Sequence, residues 1–139
     1  MQLTSRLLTL LDRLSSPVTV HAHCDLPCGV YDPAQARIEA ESVKAIMEKF
    51  NASSDEVFRQ RAIFIKEERA DLVKHHLWVL WTDYFKPEHL EKFPELHNLF
   101  WTATKTAGET KKTTDVAVGQ RLLDQIAQIS EIFWATKKG

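Results

Sequence analysis

The residues best equipped for chemistry stand together near the start of the chain, in the stretch His23-Cys24-Asp25-Leu26-Pro27-Cys28. Its two cysteines are the only ones among 139 residues, and they lie four positions apart behind a histidine. Two thiolates in a short loop turned by Pro27 and Gly29 suit a soft or borderline metal ion. A structural zinc site wants four side-chain donors, and the usual second pair of Cys or His at short spacing is missing. His75, His76, His89 and His97 offer imidazoles, but not at a matching spacing. A different donor set arises if His23 becomes the first residue of a processed chain. Its new α-amine, the backbone nitrogen of Cys24 and the Cys24 sulfur then form two fused five-membered chelate rings. The Cys28 sulfur closes a plane of two nitrogens and two sulfurs, and the His23 imidazole can approach as an axial ligand. Square-planar coordination points to nickel(II) or copper(II); copper has the higher intrinsic affinity, so metal supply decides between them. Thiolate and deprotonated amide donors stabilise a trivalent metal, which would let nickel cycle between Ni(II) and Ni(III).

That chemistry requires residues 1–22 to be a removable leader, because a peptide bond to Ala22 ties up the His23 nitrogen as an amide. Within the leader, Leu3, Leu7, Leu10, Leu11 and Leu14 recur at helical spacing, and Ser15, Ser16 and Pro17 end the helix. Val20 and Ala22 are placed like a small-residue cleavage site. Yet Asp12 and Arg13 interrupt the apolar run, and a single arginine precedes it, so a secretory signal is the poorer reading. The expectation is a cytoplasmic protein.

The elements that must hold the loop are helical. Asp32 followed by Pro33 is a helix start, an N-cap acceptor with proline at the first helical position. The spacing predicts helices over 33–50, 55–84, 94–108 and 115–138, separated by "NASSDE", by the proline-broken "FKPEHLEKFPE" and by "GETKKTT". Val116, Leu122, Ile126, Ile129 and Phe133 form one apolar stripe on the last helix. No period-two strand and no internal repeat is present. The fold class is therefore all-α: an antiparallel up-and-down four-helix bundle with an N-terminal metal-binding hook. A chain that is 44% hydrophobic and 27% charged with net charge -1 shows no bias toward nucleic acid, and no run is long enough to span a membrane.

Two charges break the apolar pattern. Glu39 shares a face with Val43, Ile46 and Phe50, and Arg69 shares one with Phe58, Ala62, Ile65 and Leu72. A carboxylate and a guanidinium turned toward the interior must be paired or hydrogen-bonded, although either alone could snorkel to water.

The stretch "HCDLPCGVYDPAQARIEAES" resembles the N-terminal hook of nickel superoxide dismutases, and "WTDYFKPEH" is similar to a second block of that family. The resemblance covers residues 23–139, with a hook over 23–31, and 1–22 resembles the family's propeptide, which a dedicated processing peptidase removes. It implies one nickel ion per subunit, held by His23 (amine and imidazole), Cys24 (amide nitrogen and thiolate) and Cys28 (thiolate). It also implies that Glu39 and Arg69 surround the axial imidazole, that Asp25 and Pro27 shape the loop, and that Tyr31 and Tyr84 line the approach. The implied reaction turns superoxide into dioxygen and hydrogen peroxide in a homohexamer. Two other classes stay open on the residues alone: a metal carrier using the same hook without turnover, and a dithiol redox protein. The second lacks both Cys-x-x-Cys spacing and a βαβ context.

Overall fold

The computed structural model describes residues 28–138. His23, Cys24, Asp25, Pro27 and the leader lie outside the described residues. Four long helices and one short one follow: α1 (Ala34–Ala52), α2 (Glu56–Val79), α3 (Pro87–Lys92), α4 (Leu96–Thr110) and α5 (Val116–Lys137). No strand occurs among the described residues.

Helix starts follow local chemistry. Asp32 Oδ1 accepts the Ala34 N–H at 2.8 Å, Asp55 Oδ1 accepts those of Val57 and Phe58 at 3.0 and 3.3 Å, and Asp115 Oδ1 accepts that of Ala117 at 2.9 Å. Each satisfies donors that the first helical turn leaves without an intrahelical partner. The turn between α1 and α2 is stapled by Arg59, whose Nη1 donates to the carbonyls of Phe50 and Ser53 at 2.9 and 3.0 Å. Its guanidinium also lies 3.8 Å over the Phe50 ring.

The long helices form a square. α1 packs on α2 and α5, and α4 packs on α2 and α5. Short connections make each neighbour antiparallel to the next. Ala36, Leu77, Leu96, Phe100, Ile126 and Phe133 belong to the main buried cluster, and Val43, Met47 and Ala70 form a smaller one. The stripe expected on the last helix is buried as anticipated, except that Val116 is half-buried.

Three details differ from the sequence expectation. The proline-broken segment contains the short helix α3, because Pro87 sits at a first helical position where no N–H is needed. The long second helix does not end as α-helix: its last turn, Leu80–Tyr84, is π-helical. The buried face of α2 is Ala62, Lys66, Ala70, Val73 and Leu77, one position round from the expected face of Ile65, Arg69 and Leu72. The shift follows from Lys66, a charge that pattern reading assigns to solvent but that is 1% exposed. Its Nζ donates to the carbonyls of Thr110, Lys111 and Thr113, closing the end of α4 and the turn into α5. Those carbonyls lack intrahelical donors, so an ammonium aimed at them substitutes for water. Burial holds the Lys66 pKa below the usual lysine value, partly offset by Glu67.

Candidate metal centre

Cys28 opens the described chain and is exposed. The Val30 N–H points at its sulfur, 3.5 Å away. Between them Gly29 has φ 69°, the one positive φ among the described residues. That left-handed turn favours a residue without Cβ, and it swings the chain from the sulfur into Tyr31 and the start of α1.

Tyr31 is half-buried, and its ring centroid lies 5.6 Å from that of Tyr84. Tyr84 owes its position to the π turn. There the Phe85 N–H bonds to the Leu80 carbonyl at 3.1 Å, one residue further back than in an α-helix. Such single π turns rotate the following side chains and are frequent at functional sites. The Tyr84 ring packs 4.4 Å from Phe133 and 5.7 Å from His89, nearly parallel to the latter. Lys137 Nζ stands 4.9 Å over its face. Gly29, Tyr31, Asp83, Tyr84, Lys86 and His89 enclose a cavity of about 320 Å³. Within it, His89 Nδ1 accepts the Lys86 N–H at 3.1 Å, which leaves the proton of a neutral ring on Nε2.

Glu39 and Arg69 are paired with each other. Arg69 Nη1 donates to both Glu39 oxygens at 3.2 and 3.4 Å, with the side chains 17% exposed for Glu39 and 32% for Arg69. A contact across α1 and α2 thus satisfies both misplaced charges. Neither lines the Tyr31–Tyr84 cavity. Next to the pair, His76 has a pKa lowered by burial and by His75, partly offset by the Glu39 charge.

The structure therefore brings Tyr31 and Tyr84 together beside Cys28, and Glu39 together with Arg69. His23, Cys24 and Asp25 fall outside the described residues. Among the described residues no cluster of three His, Cys, Asp or Glu side chains is placed to hold a metal. His23 and Cys24, which the sequence reading pairs with Cys28, are donors of the type a soft or borderline metal takes. Sequence reasoning gave His89 and Asp83 no place in the cavity wall, although both fall in the block "WTDYFKPEH". His89 stands three residues after Lys86 at the start of α3, where its Nδ1 accepts the Lys86 N–H.

Comparison with known proteins identifies the family. The profile of the family described as nickel-containing superoxide dismutase matches residues 18–137. The chain is 64% identical over 130 residues to a nickel superoxide dismutase of Streptomyces seoulensis and 62% identical to that of Streptomyces coelicolor, covering 93% of this chain and 99% of each relative. It superposes with a TM-score of 0.82 and 65% identity on a crystal structure of nickel-containing superoxide dismutase with the nickel ligation of the oxidised state, over 84% of this chain and 100% of that one. With 120 consecutive residues matched and a bundle of the same shape, the chain belongs to the nickel-containing superoxide dismutase family.

Proposed function

We propose that residues 23–139, freed of the leader, dismutate superoxide at a nickel centre held by His23, Cys24 and Cys28. Two superoxide anions and two protons yield dioxygen and hydrogen peroxide. One superoxide gives up an electron; the other gains it and takes both protons. The observation that carries the placement is Cys28 standing exposed where Gly29 and Tyr31 form one wall of a cavity whose other wall is Tyr84, Lys86 and His89. Nickel, when bound, supplies one-electron exchange between its divalent and trivalent states. His23 would contribute its amine and imidazole, Cys24 its amide nitrogen and thiolate, and Cys28 its thiolate.

The remaining residues have positional work. Tyr31 and Tyr84 narrow the approach to small molecules, which protects thiolate ligands from bulkier oxidants and reductants. Lys86, which lines the cavity, favours an anion. The Glu39–Arg69 pair, held across two helices, is suited to accept and orient an imidazole, and Asp25 shapes the loop. Solved relatives whose whole chains align to 84% of this one are shorter than it, which supports removal of residues 1–22 by a processing peptidase.

Assembly belongs to the same reading. Trp78 and Trp101, 51% and 57% exposed, flank an apolar groove of about 290 Å³ between α2 and α4. Exposed aromatic surface of this kind supports a homo-oligomer, for which we propose a hexamer. The leader's broken apolar run supports a cytoplasmic location in a bacterium, and no helix among the described residues is long and apolar enough to cross a membrane.

The test is direct. Trimmed protein loaded with nickel should dismutate superoxide and, when oxidised, give an electron paramagnetic resonance signal split by one nitrogen, that of the His23 imidazole. Cys28→Ser should abolish turnover with helix content intact. Full-length protein turning over as fast as the trimmed form would sink the role given to the leader, and an active Cys28→Ser variant would sink the ligand set.

A further inference from the structure

Behind the Tyr84 ring, away from the cavity lining, lies the last turn of α5. Thr136 Oγ1 is 2.6 Å from the Tyr84 hydroxyl and 2.6 Å from the Phe133 carbonyl, to which it donates. Each hydroxyl carries one proton, and the carbonyl can only accept. With the threonine proton on Phe133, the phenol proton alone can complete the short contact between the two hydroxyls. We infer that Thr136 is a positioning residue for the dismutase site: it accepts the Tyr84 proton and pins the phenol, so that Tyr84 serves as a fixed wall of the cavity and not as a proton source for peroxide. The inference rests on the placement of the metal beside that cavity.

The other contacts of Tyr84 fix a plane but not a proton. His89, Phe133 and Tyr31 meet the ring through their own rings, and the Lys137 ammonium lies over its face. None of these presents an acceptor to the phenol oxygen. Thr136 does, and it is anchored at a helix end that also carries Phe133 at the centre of the core. The anchoring is long-range: fifty-two positions separate Tyr84 and Thr136. The end of α5 is thereby part of the site, which no motif in the sequence announces.

The chain has two tyrosines, so in a Tyr31→Phe background the tyrosine Raman doublet reports on Tyr84 alone, with or without nickel. It should show a phenol that donates. Thr136→Val should remove the donor signature, and Thr136→Ser should restore it. An accepting phenol in the parent, or a signature unmoved by Thr136→Val, overturns the inference. Turnover gives the second arm, in nickel-loaded trimmed protein of unchanged circular dichroism. Tyr84→Phe and Thr136→Val should each lower kcat/KM about fivefold, the worth of one neutral hydrogen bond, with Thr136→Ser near the parent. The double variant should be no slower than either single one. Losses that multiply would show Thr136 acting apart from Tyr84 and overturn the inference. A Tyr84→Phe enzyme with the parent rate would instead overturn the cavity placement itself, and the kinetic role of Thr136 with it.

Discussion

At the scale of single residues, the pair Glu39–Arg69 and its neighbour His76 make the clearest predictions. Arg69→Met leaves a carboxylate that is 17% exposed without its guanidinium, and a loss of about 1–2 kcal/mol in urea unfolding is expected, between the values for exposed and buried pairs. His76 has a folded pKa below its unfolded value of 6.5. The unfolded chain therefore binds the proton first as pH falls. The histidine's contribution to stability is complete above pH 6.5 and disappears as pH drops through the lowered folded pKa. His76→Gln should flatten the fall in melting temperature between about pH 7 and pH 5; an identical slope in the variant would remove His76 from the pH response. Glu39 was legible in the sequence because a carboxylate interrupted an apolar face. Thr136 and His89 were not, since their roles depend on partners far along the chain or on a turn geometry that periodicity does not encode.

At the scale of elements, most of the bundle could be read in advance because Asp caps, Pro positions and apolar spacing all act locally. Two departures lie outside what periodicity encodes. Lys66 is drawn inward by the unsatisfied carbonyls at the end of α4, and the π turn at Leu80–Tyr84 inserts one residue into a helix whose sequence there is ordinary. Lys66→Met keeps the volume but removes the donor from three carbonyls, and a loss of about 2–3 kcal/mol is expected from equilibrium unfolding. Helix contact also sets Gly119. A Cβ there would come within 3.1 Å of Lys44 Cβ and 3.3 Å of the Lys44 Cα, a backbone atom that cannot swing away. Gly119→Ala should thus destabilise by about 1–2 kcal/mol despite alanine's better helix propensity. A more stable variant would show that α1 and α5 separate freely.

At the scale of the whole molecule, a net charge of -1 hides a local arrangement. Lys86 in the cavity lining and Lys137 over the Tyr84 ring place two cations, against the one carboxylate of Asp83, beside the route proposed for an anionic substrate. Lys86→Glu should lower kcat/KM by about tenfold at low ionic strength and by less at high salt, as screening erases electrostatic steering. A salt-independent change would assign Lys86 another role. Family was legible from the twenty residues 23–42 and the block 81–89, and the fold from helical spacing, whereas the cavity wall, which joins Gly29 and Tyr31 to residues 83–89, needed the packing. That packing has a practical consequence. Gly29 and the end of α5 emerge at one pole of the bundle, while Asn51 Nδ2 reaches the Thr114 carbonyl at the opposite pole. An affinity tag or fluorophore appended after residue 139 would crowd the Tyr31–Tyr84 cavity, so labels for imaging or purification belong at the opposite pole, on the exposed side chain of residue 54.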